Sequence, residues 1–219
     1  MLINVFESDK GLWSSLIEKG IDLAVRKHVL VYVIDNPEAQ ALIDKYGFGG
    51  RITENPEQDY TALVSTNLGG DKTNWFVKKD VDIKIEKEGD KYVKTIAVSY
   101  KYPQPNGEFA PFVKRFRDWL RVYAPIGSEL ISIDGSQGYE KTDQEANKVW
   151  WSSYIELGPT ENGTITYKYY LPAGLITGNK YVLELQKQPG IASEHYKIDF
   201  MGKVKEVDLE KDMKVTINL

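Results

Sequence analysis

The sequence contains no cysteine and only two histidines in 219 residues. Without cysteine, the chain cannot form disulfides, thiolate zinc sites or iron–sulfur ligands, and it cannot use a cysteine nucleophile. Neither His28 nor His195 has another histidine nearby, and no Gly-x-Ser-x-Gly elbow accompanies them. We therefore interpret both histidines as structural and predict no catalytic residue, no metal and no cofactor.

The chain also has no excess of basic over acidic residues and no long apolar run. The net charge is −4 and the isoelectric point is about 5.4, which argues against nucleic acid as the main partner. No segment approaches the roughly 18 consecutive apolar residues that a membrane span needs. The opening "MLINVFESDKGLW" lacks the basic region and apolar run of a secretory signal. We expect no membrane insertion by this chain itself.

The first fifty residues carry helical and strand patterns in turn. Residues 12–27 place leucine and isoleucine at helical spacing and predict an amphipathic helix. Residues 28–35, "HVLVYVID", form a short apolar run rich in β-branched residues and predict a buried strand. Residues 36–47 begin with an Asn36 cap and a proline and end at a glycine, which predicts a second helix. This order indicates a mixed α/β segment.

Beyond residue 59 the pattern is one of short strands separated by turns. Residues 75–102 alternate apolar and polar positions around "GD" and predict a long hairpin. About seven further short strands, with turn signals roughly every 8 to 12 residues, are typical of a β-sandwich. We predict an α+β fold, with a mixed α/β segment over 1–105 and an antiparallel, immunoglobulin-like β-sandwich over 106–219. The hairpin could belong to either part.

A glycine pair in "NLGGDKTNWFVKKD", residues 67–80, raises the question of a phosphate-binding loop. A P-loop requires a glycine directly before the lysine, another glycine five residues earlier, and a helix after the loop. Here Asp71 precedes Lys72, and a strand pattern follows. We therefore interpret Gly69 and Gly70 as residues that allow positive φ in a connection between strands.

The aromatic residues offer candidate binding positions. Trp150 and Trp151 are adjacent, so in a strand they face opposite sides, one towards the core and the other towards solvent. Tyr167 and Tyr169 share a face, and Tyr170 points the other way. Exposed tryptophan and tyrosine bind sugars and peptides, whereas the alternative is ordinary core and sheet packing.

Paired carboxylates form a second candidate set. Asp59 and Asp71 flank one predicted strand, and Asp80 and Asp82 share one face of another. Two acids can perform hydrolysis or hold a hard cation. With 32 acidic residues in the chain such pairs arise by chance, so surface solvation is favoured. The first pair belongs to a predicted polar junction cluster: Asp59, Asn67, Asp71 and Lys72.

Several spaced motifs resemble an uncharacterised bacterial domain family of unknown function. Residues 27–52 resemble its hydrophobic strand, its Asp-Pro-Glu-x-Gln helix and its Gly-x-x-Gly-x-Ile turn, and residues 67–79 resemble its Asn-x-Gly-Gly-x-Lys junction motif. Residues 119–135 and 169–190 are similar to its later segments, an Arg-Val-Tyr-x-Pro-x-Gly-Ser strand and a Gln-Pro-Gly turn.

Members of this family are large envelope proteins with an N-terminal membrane anchor and an upstream domain carrying an Asn-x-Glu-x-Arg-x-Gly-Gly-Phe motif. Neither feature occurs in this sequence, which resembles the C-terminal portion of such a protein or a short relative. The resemblance implies an extracellular or cell-surface location as part of a larger anchored protein. In the family, the segment resembled by "NLGGDK" lies at a junction between folding units.

Two functional hypotheses follow. The first is a non-enzymatic envelope module that binds a cell-wall glycan or another envelope protein, or that supports another domain. The second is an accessory part of an envelope enzyme acting on cell-wall polymer, with Asp59, Asp71 and Lys72 as its polar cluster. Converging acids in a concave site favour the enzyme, whereas an exposed aromatic patch favours binding.

Overall fold

The computed structural model describes residues 10–54, 58–108, 110–112 and 114–219. The protein is mostly β, with 48% of its residues in strands. In the described part, α1 spans Lys10–Val25 and α2 spans Pro37–Lys45. The strands are β1 Asp59–Asn67, β2 Lys78–Glu88, β3 Lys91–Lys101, β4 Phe116–Pro125, β5 Glu129–Asp134, β6 Lys141–Glu145, β7 Lys148–Leu157, β8 Asn162–Tyr170, β9 Lys180–Gln186, β10 His195–Phe200, β11 Lys203–Asp208 and β12 Met213–Asn218.

The twelve strands form two six-stranded sheets. Sheet A has the order β12-β9-β1-β4-β7-β6, and sheet B has the order β11-β10-β2-β3-β8-β5. Neighbouring strands are antiparallel except for two parallel pairs, β1 with β9 and β2 with β10. The predicted sandwich is confirmed, but the expectation of a purely antiparallel arrangement is wrong at these two pairs. Parallel neighbours require long crossovers, which strand patterns do not reveal.

The core lies between the inner faces of the two sheets. The hairpin shows how the sequence encodes this, because Val81, Ile83 and Ile85 of β2 are buried while Asp82 and Lys84 between them are exposed. Both sheets contribute their inward residues to one hydrophobic cluster. The predicted hairpin is confirmed, including its two-residue turn between Glu88 and Lys91.

The chain divides into two compact units, Met1–Ile52 with Pro189–Ala192 and Thr53–Gln188 with Ser193–Leu219. The predicted boundary at residue 105 does not coincide with this division, because β1 to β3 belong to the sandwich. In the sheets, β1 lies between β9 and β4, and β3 lies between β2 and β8. Alternation shows which face of a strand is buried but not which strands become its neighbours.

The first unit contains the two predicted helices. In α2 the Asn36 side chain accepts a hydrogen bond from the Ala39 amide at 3.0 Å, Pro37 occupies the first turn, and Gly47 has φ +74°. This helix and its signals are confirmed.

The predicted buried strand over residues 28–35 is wrong. This segment is not a strand, and its apolar side chains are exposed except for the half-buried Val33. Its backbone makes isolated hydrogen bonds rather than a strand ladder. The Val31 amide donates to the Phe48 carbonyl at 2.9 Å, and the Val33 amide donates to Gln40 Oε1 at 2.7 Å. A β-branched run becomes a strand only beside another strand edge, and no such edge pairs with it in the described residues.

The strand order predicts which fragments fold. Residues 53–219 retain both complete sheets, so this fragment should unfold cooperatively in thermal circular dichroism. Residues 106–219 lack β1 to β3, which separates β9 from β4 in sheet A and β10 from β8 in sheet B. This shorter fragment should therefore be unfolded, with poorly dispersed amide resonances in NMR. Dispersed resonances from it would contradict the topology.

Candidate functional site

The outer face of sheet A carries a group of aromatic and basic side chains. Alternate residues of β4 and β7 point outward, because their neighbours in sequence fill the core. The register sets Tyr123 opposite Trp150 and Trp119 opposite Tyr154. We name this group the aromatic face, and it consists of Trp119, Arg121, Tyr123, Tyr139, Lys141, Trp150 and Tyr154.

Arg121 lies at the centre of the aromatic face. Its guanidinium carbon is 5.3 Å from the centroid of the Trp119 ring, 5.7 Å from Tyr123 and 5.6 Å from Trp150. Lys141 Nζ is 5.2 Å from the Trp150 ring centroid. Cations within about 6 Å of aromatic faces are attracted by the ring quadrupole. The two basic side chains are therefore held in position by the rings.

Tyr139 lies in the loop before β6, and the residue is 73% exposed. Its φ is +55°, a conformation that strains a bulky residue. The carbonyl of Tyr139 accepts hydrogen bonds from Ser152 Oγ at 2.9 Å and from Trp119 Nε1 at 3.4 Å. The ring packs edge-to-face on Tyr154 at 5.2 Å. The sheet thus holds an exposed aromatic ring in a strained backbone conformation.

The two adjacent tryptophans face opposite sides of β7, as predicted. Trp151 lies in the core, where its ring centroid is 4.8 Å from that of Tyr169. Trp150 is on the outer face but only 6% exposed, so the expected solvent-exposed tryptophan is wrong for this residue. Packing by Arg121 and Lys141 covers its ring, which a strand pattern cannot foresee.

Tyr167 and Tyr169 share the inner face of β8, as predicted, and both are fully buried. The Tyr167 hydroxyl contacts Ser153 Oγ and donates to the Leu120 carbonyl at 3.4 Å. Burial raises the pKa of both tyrosines. Of the four predicted binding aromatics, only Trp150 lies on the aromatic face.

Asp59, the first member of the predicted polar junction cluster, lies in the interior instead. Its Oδ2 is 2.7 Å from Lys94 Nζ, both side chains are fully buried, and it accepts a hydrogen bond from the Tyr181 hydroxyl. Lys94 also bonds Thr61 Oγ1 at 2.6 Å. Burial lowers the pKa of Lys94, and Asp59 opposes this shift. The pair joins β1 of sheet A to β3 of sheet B.

Asn67 lies at the other end of β1, eight residues or roughly 26 Å from Asp59 at strand spacing, and Asp71 and Lys72 lie in the loop that follows. Asn67 Nδ2 donates to the Asp71 carbonyl at 3.1 Å, and its Oδ1 accepts from the Gly69 amide at 2.8 Å. Lys72 Nζ is 5.8 Å from the Trp75 ring centroid. This loop connects β1 and β2 within one compact unit. Asn67, Asp71 and Lys72 therefore all belong to the second unit.

A second interior cluster brings together a serine, a lysine and acids. Lys79 Nζ is 2.8 Å from Ser65 Oγ and 2.6 Å from Glu194 Oε1. Asp118 Oδ2 accepts hydrogen bonds from Ser65 Oγ at 2.8 Å and from the Tyr100 hydroxyl at 2.9 Å. Like the Asp59–Lys94 pair, these contacts link the inner faces of the two sheets.

The charge of Lys79 decides whether this cluster is nucleophilic. Burial alone would lower the pKa of Lys79, but Glu194 and Asp118 outweigh it and the pKa is raised. A protonated lysine has no lone pair with which to accept the Ser65 proton. The cluster therefore functions as a structural link between the sheets.

The remaining candidate residues are on the surface. Asp80 and Asp82 share the exposed outer face of β2, as predicted. His28 is exposed rather than at the start of a buried strand, and His195 lies on β10 with Nδ1 2.9 Å from Asp208 Oδ1. That hydrogen bond is the main cause that raises the pKa of His195.

Within residues 10–54, 58–108, 110–112 and 114–219, no group of three or more His, Asp or Glu side chains could hold a metal ion. Neither α1 nor α2 has the length and apolar character needed to cross a bilayer.

Sequence reasoning did not identify Trp119, Arg121 and Tyr139. The alternation of "DWLRVYAP" places Trp119 and Arg121 on one face and could have indicated this pair. Tyr139 gives no such signal, because its position depends on hydrogen bonds from two different strands.

No protein-family model matches the sequence, and no curated protein is detectably similar to it. Among solved structures, the chain is similar to a candidate nutrient binding protein from Legionella pneumophila, with 9% identity and a TM-score of 0.35. The match covers 64% of this chain and 54% of the Legionella chain, so it spans about half of that protein. A resemblance this distant carries no argument about ligand or activity.

The Asp59–Lys94 pair yields a test of its structural role. Asp59→Asn or Lys94→Met should each reduce the free energy of unfolding by about 3–5 kcal/mol, because each leaves a buried charge without its partner. The double variant Asp59→Leu/Lys94→Met should lose clearly less than the sum of the two. Urea unfolding followed by circular dichroism measures all three.

The matched control is the exposed pair of Lys84 and Glu86 on the outer face of β2, 2.7 Å apart. Lys84→Met should change stability little, because exposed ion pairs are screened by water. If the interior single variants were equally mild, the pair would not be a constraint on the fold.

Buried tyrosines should make the protein unstable in alkali. Burial raises the pKa of four of them well above the usual value of about 10: Tyr100, Tyr169, Tyr181 and Tyr196. Above that pH the unfolded chain loses protons that the folded chain retains, so stability is intact below pH 10 and falls as the pH rises further. Burial also lowers the pKa values of Lys94 and Lys148, which acts in the opposite direction, but these are two groups against four.

We expect tyrosinate absorbance at 295 nm to include a cooperative step that coincides with the loss of circular dichroism. Tyr196→Phe should make the decrease of stability with pH less steep. Complete tyrosine ionisation with an intact spectrum would contradict the burial of these hydroxyls.

Proposed function

We propose that this chain is a non-enzymatic binding module of the bacterial cell envelope, built on a sandwich of immunoglobulin-like outline. It acts outside the cell or at the cell surface, as part of a larger anchored protein. The motifs similar to an envelope family support this location. Its ligand is a cell-wall glycan, which binds at the aromatic face.

The strained and exposed Tyr139 carries this proposal. Backbone strain of this kind costs about 1–3 kcal/mol and persists only where surrounding contacts enforce it. Here the hydrogen bonds from Ser152 and Trp119 enforce it, while the ring itself remains in solvent. A fold that needed only packing would bury this ring, so its exposure favours a role in recognition.

The neighbouring rings complete a surface that suits sugars. Trp119 and Tyr154 are half-buried beside Tyr139. The C–H faces of a sugar pack against flat aromatic rings, and its hydroxyls bond to polar groups at the rim. Because a sheet holds the rings, little conformational freedom is lost on binding.

The enzyme hypothesis has less support. Asp59 is enclosed with Lys94, far from Asp71 and Lys72, so the predicted cluster does not converge. The other group of acids surrounds a protonated Lys79. Lys79 is not a free base, and the Asp118 carboxylate that accepts a hydrogen bond from Ser65 is fully buried between the sheets.

A protein ligand is the second candidate, and the N-terminal unit favours it. Among residues 12–52, the only buried side chains are those of Lys27 and Gln40. Large apolar side chains on α1, including Leu16, Ile17 and Ile21, are exposed. Apolar patches of this kind mark protein-binding surfaces.

Tyr139→Ala should abolish or weaken glycan binding by at least about tenfold, which corresponds to 1.4 kcal/mol. The ligands are a panel of cell-wall glycans and peptidoglycan fragments, and intrinsic tryptophan fluorescence reports binding because Trp119 contacts Tyr139. Thermal unfolding should show that the variant remains folded.

Tyr170→Ala is the matched control, since Tyr170 is an aromatic residue on the outer face of sheet B, with Lys91 Nζ 4.6 Å from its ring centroid. This variant should bind as the native chain does. No saturable change across the panel would refute the glycan ligand and leave the protein ligand ahead. Equal losses in both variants would refute the aromatic face.

A further inference from the structure

The strand register places two basic side chains in one row across the aromatic face. Arg121 of β4 pairs with Ser152 of β7, which pairs in turn with Lys141 of β6. Two strand spacings separate the backbones of Arg121 and Lys141 by about 10 Å. Ser152 between them is short and fully buried, so the two basic side chains form the polar part of the row. Trp150 lies on one side of this row and Trp119 on the other.

Arg121 has unused hydrogen-bonding capacity. A guanidinium carries five N–H donors, and its hydrogen bond to protein is from Nη1 to the Tyr123 hydroxyl at 3.0 Å. The Nε atom is buried without a hydrogen-bond partner. The side chain as a whole is 25% exposed, so an approaching ligand can reach it. The rings of Trp119, Tyr123 and Trp150 hold the guanidinium in place.

Protein carboxylates neutralise this row only weakly. Glu145 Oε1 is 3.8 Å from Arg121 Nη1 and accepts a hydrogen bond from the Tyr123 hydroxyl instead. Asp143 is 2.7 Å from Lys141 Nζ, but both side chains are about half exposed. Exposed pairs of this kind exchange readily for another anion, because water screens them. Glu145 is therefore at ion-pair distance from Arg121 and hydrogen-bonds to Tyr123.

We propose that the aromatic face binds an acidic glycan, with a sugar carboxylate on the edge of Arg121 and Lys141 beside it. This rests on the proposed function, and it names the chemical class of the ligand. Planar carboxylates match the two-pronged geometry of a guanidinium. The sugar ring bearing the carboxylate lies against the neighbouring aromatic rings. A neutral glycan makes the ring contacts alone.

A pair of ligands that differ only in charge tests the proposal. One is an oligogalacturonate of defined length, and the other is the same oligomer with every carboxylate methyl-esterified. Titration calorimetry with the full chain, at low and at physiological salt, gives both affinities. We expect the acidic oligomer to bind at least tenfold more tightly at low salt, with a smaller difference when salt screens the charges.

Variants locate the preference on Arg121. Arg121→Gln should bring the ratio of the two affinities close to one, because it removes the charged guanidinium that contacts only the acidic oligomer. Arg121→Lys should retain part of the preference, because it keeps the positive charge but loses the two-pronged geometry of the guanidinium. Lys91→Gln, on the opposite sheet, is the control and should behave as native. Circular dichroism should confirm that each variant is folded.

The outcomes separate this proposal from the one on which it rests. Equal binding of acid and ester by the native chain would overturn the carboxylate assignment and leave a neutral-glycan module standing. A preference that survives Arg121→Gln would also overturn it. If neither oligomer nor any panel glycan binds, the glycan function itself fails, and with it this inference.

Discussion

The two sheets are joined through their interior by a fully buried ion pair, Asp59 with Lys94. A charge in that position is tolerated only beside its partner, because its desolvation is otherwise uncompensated. The pair therefore permits few alignments of β1 over β3. The Ser65, Lys79, Asp118 and Glu194 cluster adds a second link of the same kind. Burial of apolar side chains stabilises the packing of the two sheets, and these polar links restrict how the sheets align.

The aromatic face depends on that alignment, although it lies on the other side of sheet A. Once Asp118 and Leu120 point inward, Trp119 and Arg121 must point outward. The pairing of β4 with β7 then brings Trp150 beside Arg121. A site on strand side chains inherits the rigidity of the sheet, whereas Tyr139 comes from a loop and needs hydrogen bonds from the sheet to hold it.

Local signals predicted local structure well. The Asn36 cap, the turn after Glu88 and the opposite orientations of Trp150 and Trp151 each depend on a few consecutive residues and a fixed period. Other expectations depended on distant partners and did not hold. Residues 28–35 have strand composition but no strand beside them. Trp150 faces outward, yet two basic side chains cover it.

The sequence by itself determined the β-rich class, the inward and outward sides of most strands, and the exclusion of all cysteine-based chemistry. The tertiary structure alone decided where the chain divides, that β1 pairs with β9 and β2 with β10, and which polar residues meet. The reason is that side-chain alternation is a property of one strand, whereas neighbours are chosen by competition among all strands for burial and backbone hydrogen bonds. Asp59 meets Lys94, and Arg121 meets Trp150, only because of which strands become neighbours and how the sheets pack.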